Sequence, residues 1–223
     1  MEKLYFAIIG DIVNSKLLEN RLQVQEKLSK LLDDINKRYE SSLSSKFMIT
    51  LGDEFQGLLH EGSSLMEIIE YIEDEMWPIK LRFGIGIGGI TTSINYEMPF
   101  GADGPAYYQA RAVIEQFKDS EKRKRRVASN IGVGSGEMKE VITLVNTLLA
   151  QNYFIKQQWS IRQREIIKYY RESDDTQQAV AMKLGINQSS VQRSLRSSGY
   201  YVYQQALDCI EAVFERIGDE NNA

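Results

Sequence analysis

The chain has 223 residues, of which 43% are hydrophobic and 26% charged, and its formal net charge is −4 at pH 7. This length and balance can bury an ordinary core and leave room for one large and one small domain, so a largely disordered chain is excluded. The single cysteine, Cys209, excludes an intramolecular disulfide framework and a cysteine-rich zinc site, and it agrees with a reducing compartment.

The first predicted element is a strand over residues 4–9, a continuous apolar run that ends at Gly10 and Asp11. A short run of this kind is typical of a central strand buried on both faces. It is too short for a signal peptide or a membrane span, and nothing later in the sequence approaches a transmembrane length. We therefore expect a cytoplasmic protein that does not contact a membrane.

The following elements alternate between helical and strand patterns. A helix is predicted over 18–39, a hairpin of two strands over 47–51 and 55–59, a helix over 64–76, a strand over 80–90, a helix over 104–117 and a strand over 127–133. This order predicts an α/β (α+β) domain over residues 1–134, with a mixed sheet and helices largely on one face.

The strand over residues 80–90 contains glycines at 84, 86, 88 and 89. They do not form a dinucleotide-binding fingerprint, because no helix follows them immediately. Close approach of another backbone is the better interpretation.

A long helix is predicted over residues 136–159, and the segment 135–159 is interpreted as the link between two domains. Residues 160–217 would form the second, all-α domain, and residues 218–223 a frayed polar tail. Ser160 and Gln163 have the spacing of a capping box, so a new helix should begin there.

Three residues in the second domain stand at the spacing of bacterial helix-turn-helix motifs. Ala181 is a small residue where two helices touch, Gly185 lies in the turn, and Val191 is an apolar anchor in the second helix. Glycine supplies the positive φ angle of the turn, and Asn187 would cap the helix that follows. We interpret this pattern as a helix-turn-helix DNA-binding module; the alternative is an ordinary helical hairpin that packs on the first domain.

The recognition helix is predicted over residues 188–198, with an exposed face suited to a DNA groove: Gln188, Ser189, Ser190, Gln192, Arg193 and Arg196. Gln and Arg can make bidentate contacts with adenine and guanine, and Ser and Arg can hold phosphates. Residues 160–207 carry 7 basic and 4 acidic side chains, a modest positive segment in an acidic chain. Tight binding to DNA would need two copies, so a homodimer is expected.

Two acidic residues of the first domain are predicted to meet. Asp11 follows the first strand and Asp53 lies at the tip of the neighbouring hairpin, positions that adjoin when the strands pair. Two nearby carboxylates either share a proton or take up a divalent cation, and Mg²⁺ or Mn²⁺ prefers such oxygen ligands. The alternative is structural: Asp53 and Glu54 as turn residues, and Asp11 as a helix cap.

The segment Gly52–Phe55 resembles the hairpin of GGDEF diguanylate cyclases, and Gly10–Ser15 resembles the first metal-binding strand end of class III nucleotidyl cyclases. The resemblance implies a palm-like, ferredoxin-like fold, with Asp11 and Asp53 holding Mg²⁺ or Mn²⁺ and a nucleoside triphosphate as partner. The residues that it places at the nucleotide are Asp11, Ile12, Asn14, Ser15, Asp53, Glu54 and Arg111.

Over its whole length the chain more closely resembles the SatD family, which has this domain pairing. The catalytic pattern of the cyclases is incomplete: Tyr108 stands where they have Asn, Ala112 where they have Arg, and Arg111 is one residue away. On a helix one residue turns a side chain by about 100°, so Arg111 would point elsewhere. Catalysis therefore has no expected charge-stabilising donor.

Three hypotheses follow. The first is a DNA-binding transcriptional regulator whose palm-like domain binds a nucleotide with a divalent cation. The second is an active nucleotidyl cyclase or nucleotidyltransferase with an attached DNA-binding module. The third is a scaffold whose degenerate palm domain only dimerises.

Overall fold

The computed structural model describes residues 3–98, 101–123, 128–173 and 176–219. Within these ranges one sheet contains five strands: β1 (Tyr5–Ile12), β2 (Leu43–Leu51), β3 (Glu54–Leu59), β4 (Leu81–Gly88) and β5 (Ile131–Ser135). The predicted strands all have a counterpart. The last of them begins four residues later than expected, and Val127, where that prediction started, lies outside the described residues.

Eight α-helices lie in the same ranges: α1 (Arg21–Arg38), α2 (Leu65–Met76), α3 (Pro105–Lys122), α4 (Lys139–Gln157), α5 (Ile161–Glu172), α6 (Gln177–Leu184), α7 (Gln188–Ser197) and α8 (Tyr200–Asp219). None of them is long and apolar enough to cross a bilayer, in the part of the chain that the structure describes. Of the predicted tail over 218–223, residues 218 and 219 belong to α8 and residues 220–223 lie outside the described ranges.

The strand order is β2-β3-β1-β4-β5. β1 pairs antiparallel with β3 and β4, β2 pairs antiparallel with β3, and β4 pairs parallel with β5. The sheet is therefore mixed, as predicted. β1 lies at its centre because a run of apolar residues with hydrogen-bonded neighbours on both edges can be buried on both faces.

The helices divide between the two faces of the sheet. Side chains of α1, α2 and α4 share a buried cluster with Phe6, Ile8, Phe83 and Ile85 of the central strands. On the opposite face, Ala7 and Ile9 pack against α3 in a smaller cluster. The prediction of helices largely on one face therefore misses α3.

Glycines in β4 explain how α3 reaches the sheet. Gly84, Gly86 and Gly88 alternate with apolar residues and face α3. A Cβ atom on Gly86 would lie 1.9 Å from the carbonyl oxygen of Ala106 and 2.4 Å from the amide nitrogen of Ala110. The interpretation of these glycines as a close backbone approach is confirmed.

The C-terminal helices continue the same core. α8 packs on α4 and α2, and the ring of Phe214 meets that of Phe6 edge to face with 5.9 Å between centroids. α4 packs along β5 and α8, so this helix, predicted as a link over 135–159, is part of the packed core. The domain boundaries stay a prediction, since one buried cluster runs from the sheet through α5–α8.

A buried group of charges joins the C-terminal helices to α2. Lys156 of α4 donates to Glu70 at 3.0 Å and to Glu73 at 2.8 Å. Arg171 of α5 donates to Glu70 at 2.6 Å, and the hydroxyl of Tyr203 of α8 donates to the same carboxylate at 2.5 Å. Because each buried charge has an opposite partner, the network fixes α4, α5 and α8 on α2.

Candidate functional site

Three charged side chains form a row across the centre of the sheet. Asp11 of β1 is the register partner of Glu54 in β3 and of Arg82 in β4. Side chains alternate between the faces of a strand, so these residues share the face that carries Ala7 and Ile9 and is covered by α3. The three charged residues follow the apolar residues of this face and lie at the carboxyl end of β1.

The ion pairs of this row reach from the sheet to α3. The Nε of Arg82 donates to Oδ2 of Asp11 at 2.6 Å, and Nη1 of Arg82 donates to Glu121 of α3. Nζ of Lys118 lies 3.6 Å from Oδ1 of Asp11 and 3.8 Å from Oε2 of Glu54. The C-terminal end of α3 is thus tied to the sheet by charge.

The charges of this cluster cancel. The three negative charges belong to Asp11, Glu54 and Glu121, and the three positive charges to Arg82, Lys118 and Arg111. Nη1 of Arg111 lies 3.3 Å from Oε1 of Glu54. Asp11 and Arg82 are 3% and 7% exposed, so both charges have lost most of their contact with water. Each charge interacts with the other in place of that water. We call these six residues the charged cluster.

The contacts of Asp11 weigh against a divalent cation in the charged cluster. Both oxygens of Asp11 already face cationic groups, so a metal ion would have to displace Arg82 and Lys118 from a buried carboxylate. Within the described residues no group of three His, Cys, Asp or Glu side chains could hold a metal ion. Mg²⁺ or Mn²⁺ on Asp11 and Asp53 stays a prediction, and this pairing weighs against it.

Asp53 lies in a different set of contacts. Its carboxylate accepts a hydrogen bond from the hydroxyl of Ser15, and its carbonyl oxygen accepts one from the amide of Ile12 at 3.2 Å. Asn14 has a φ of 55° and Gly52 a φ of 65°, so both turns use left-handed backbone. The loop after β1 and the hairpin tip are therefore joined, as the pairing of β1 with β3 predicts.

The residues at the catalytic positions of the cyclases have other partners. The hydroxyl of Tyr108 donates to Asp103 at 2.5 Å, and Arg111 pairs with Glu54. Ala112 offers no donor.

Sequence reasoning missed Arg82, Lys118 and Glu121. One signal was present: Arg82 is a charged residue in an otherwise apolar and glycine-rich strand, which requires a buried opposite charge. Arg111 and Lys118 are seven residues apart on α3 and so lie on one face. The partner of Arg82 depends on register, which the sequence alone does not give.

The second candidate surface belongs to α5, α6 and α7, which pack on one another. The side chain of Ser160 accepts a hydrogen bond from the amide of Gln163, and the full capping box is present, which confirms that prediction. Gly185 has a φ of 62° and ends α6 in the left-handed conformation. Asn187 stands at the first position before α7 as expected, although its side chain makes no capping hydrogen bond.

α7 has a buried and an exposed side. Val191 and Leu195 are completely buried, and Ala181 of α6 is 7% exposed beside them. The opposite side exposes every residue predicted for DNA contact: Gln188, Ser189, Ser190, Gln192, Arg193 and Arg196. Among the described residues, Arg193 and Arg196 have no ion-pair partner.

Comparisons with known proteins show a family and a distant structural likeness. The model of the SatD family matches residues 5–212. A search of curated proteins finds no match. Among solved structures, the chain is similar to the crystal structure of the catalytic core of a rhodopsin-guanylyl cyclase with converted specificity, in complex with ATPαS. The two sequences are 19% identical, and the TM-score is 0.36. The match covers 50% of this chain and 71% of the cyclase chain.

Proposed function

The chain belongs to the SatD family, and we propose that this member binds duplex DNA through the exposed face of α7, as a transcriptional regulator. The proposal rests on the amphipathic character of α7: Val191 and Leu195 are buried in the core, while its polar and basic residues face solvent. The major groove of B-DNA admits one α-helix, and base edges there are read by side chains of these types.

Local chemistry supports a groove contact over a merely solvated helix. Arg193 and Arg196 have no acidic partner among the described residues, in contrast to Arg162 of α5, which pairs with Glu165 at 2.5 Å. An unpaired guanidinium can bind phosphate or guanine without first breaking an ion pair. Gln188 and Gln192 lie one turn apart and can donate and accept towards adenine.

The docking contacts also support it. The charges that hold α5 on α2 come from Lys168 and Arg171, at distances of 2.5–2.6 Å from their acidic partners. α7 supplies none of these ion pairs. α5 therefore serves as the anchor, which leaves the exposed face of α7 available to a partner.

We propose a homodimer as the DNA-bound form. The positive excess of the segment 160–207, 7 basic against 4 acidic residues, is small in a chain of net charge −4. Each phosphate contact adds a limited, salt-dependent increment to the affinity for DNA. Two copies on a palindromic site would make twice as many phosphate contacts and so bind more tightly than one copy.

The proposal assigns no catalysis and no metal to the sheet domain. Asp11 is neutralised by Arg82 and Lys118, and Tyr108 and Arg111 are engaged by Asp103 and Glu54. Nucleoside triphosphate binding at Asp11, Asp53 and their neighbours, and with it the cyclase hypothesis, stays a prediction. The sheet is proposed as the platform that holds α4, α5 and α8, and through them α7.

Selection of bound duplexes from a random pool tests this function. The full chain is expected to enrich a palindromic sequence whose half-sites are about 10 base pairs apart, one helical turn. Fluorescence anisotropy with that duplex should then show specific binding at least about a thousandfold tighter than binding to a scrambled duplex. Failure to enrich any sequence, with binding to all duplexes equally weak, would overturn the proposal.

A further inference from the structure

A cavity of about 550 Å³ lies where the sheet domain meets the C-terminal helices. Its walls come from the end of α2, the turn into β4, the second half of α3, and α4 and α5. Small-molecule sites have volumes of this order and form preferentially at such junctions. The cavity shares Arg82 and Glu121 with the charged cluster, but Asp11, Asp53 and α7 do not line it.

Aromatic side chains supply part of the cavity wall. Trp77, Phe117 and Tyr153 all line it, and Trp77 is 42% exposed. The hydroxyl of Tyr153 makes no hydrogen bond with any residue that the structure describes. An exposed indole beside a free phenol offers a stacking surface and a hydrogen-bonding group to a planar ring.

The charged side chains of the cavity wall that lack an ion-pair partner among the described residues are basic. The acidic residues of the lining are engaged, Glu73 by Lys156 at 2.8 Å and Glu121 by Arg82. Lys80 and Arg164 line the same space, and among the described residues neither has an acidic partner. A lysine and an arginine without counter-charges favour an anion, and guanidinium geometry matches phosphate.

We propose that this cavity binds a small molecule that carries a planar ring and a phosphate group. The ring lies against Trp77, and the phosphate is held by Lys80 and Arg164. Arg164 also donates from Nη2 to the carbonyl oxygen of Lys156 at 2.6 Å, which fixes its guanidinium at the junction of α4 and α5. The site is separate from the DNA contact, so either can exist without the other.

Titration of the full chain with AMP tests the proposal. The chain has two tryptophans, and Trp159 is 6% exposed while Trp77 is 42% exposed, so quenching of tryptophan fluorescence reports mainly on Trp77. AMP is expected to quench with a Kd of about 1 mM or lower. Adenosine carries only the ring and inorganic phosphate only the phosphate group, so each should bind at least about tenfold more weakly than AMP.

Variants locate the site. Trp77→Phe should abolish the quenching while calorimetry still detects AMP, and Lys80→Gln and Arg164→Gln should each weaken binding about tenfold, since a charge-assisted hydrogen bond is removed. Lys30→Gln, an exposed position on α1, should change nothing. Circular dichroism and the thermal midpoint show that each variant is folded.

Several outcomes would overturn the proposal. They are the absence of AMP binding in the millimolar range, equal binding of AMP to the wild type and to both Lys80→Gln and Arg164→Gln, or unchanged quenching in Trp77→Phe. DNA is absent from these titrations, so their failure leaves the proposed function untouched.

Discussion

The Nε atom of Arg82 donates to Oδ2 of Asp11 at 2.6 Å, in the middle of the sheet and under α3. The two residues are 7% and 3% exposed. A buried charge is tolerated because its partner replaces the water that it has lost. Asp11, which the sequence analysis predicts as a metal ligand, therefore forms a buried ion pair with Arg82 in the structure.

The first prediction concerns this pair. Asp11→Ala and Arg82→Ala should each lower the free energy of unfolding by about 3–5 kcal/mol, because each leaves one buried charge without its partner. The double variant should lose less than the sum of the two. Urea unfolding measures all three.

An exposed pair on α3 is the control. Asp119 and Lys122 lie 3.4 Å apart but are largely exposed, so removing either should cost at most about 1 kcal/mol. The structural role of Asp11 would be contradicted by a different result: a rise in thermal midpoint with Mg²⁺ and a nonhydrolysable nucleoside triphosphate that Asp11→Asn and Asp53→Asn abolish. That result would support the metal site.

The second prediction tests the contact between β4 and α3. Gly86→Ala should lower the free energy of unfolding by about 3 kcal/mol or more, since its Cβ would overlap backbone atoms that cannot move independently. Gly136→Ala is the matched control, because a Cβ there meets nothing within 4 Å. It should be neutral or stabilise by at most about 1 kcal/mol. Equal losses in the two variants would show that the packing of α3 on glycine is not what matters.

The third prediction concerns the charges under the C-terminal helices. Lys156→Met should destabilise by about 3–5 kcal/mol, because Glu70 and Glu73 would share a buried site with one cation fewer. The remaining cation near them, Arg171, pairs with Glu70 and Asp74 and, among the described residues, makes no ion pair with Glu73. Urea unfolding at pH 7 measures the loss. Wild-type stability in Lys156→Met would mean that the network does not hold α4 on α2.

The fourth prediction is a pH dependence. Burial, together with the nearby carboxylates of Asp208 and Glu67, raises the pKa of Glu211 to about 7. A carboxyl with a raised pKa binds its proton more tightly in the folded state, so its contribution is favourable near pH 4.5 and is lost as pH rises through 7. Glu211→Gln should therefore stabilise the protein at pH 8 and have little effect at pH 5.

Because Glu211 is only partly buried, solvent screening reduces the expected gain at pH 8 to about 1 kcal/mol. Glu26→Gln, at an exposed position on α1, is the matched control and should show no such dependence. Thermal unfolding over pH 5–8 measures both variants. A gain that is the same at every pH would contradict the raised pKa.

Local chemistry made several features predictable. The capping box at Ser160 and the left-handed turn at Gly185 depend on residues within one helical turn, and both are present. The buried first strand follows from its continuous apolar run. Exposure of Arg193 and Arg196 follows from the helical spacing of Val191 and Leu195.

Features that depend on distant pairing were not predictable. Arg82 reaches Asp11 across 71 positions of sequence, and only the register of β1 with β4 makes them neighbours. The same holds for the surroundings of the two aspartates that the sequence places at adjoining strand ends. The alternation of β1 points Asp11 towards α3, where Lys118 lies, while the carboxylate of Asp53 accepts a hydrogen bond from Ser15 in the loop.

The fifth prediction concerns the two unpaired arginines of α7, Arg193 and Arg196. Their replacement by alanine together should weaken binding to the selected duplex and reduce the slope of log K against log salt concentration by about 2, because each arginine is expected to neutralise one phosphate. Lys30→Ala with Lys37→Ala on α1 removes the same charge from an exposed surface outside the site. Circular dichroism checks that both double variants are folded.

The salt dependence of DNA binding, measured by anisotropy for the wild type and the two double variants, tests the DNA-reading role of α7 most directly. We expect the slope and the affinity to fall in the α7 variant and to stay at wild-type values in the α1 variant. Equal slopes and affinities in all three proteins, or equal losses in both variants, would contradict the role given to α7.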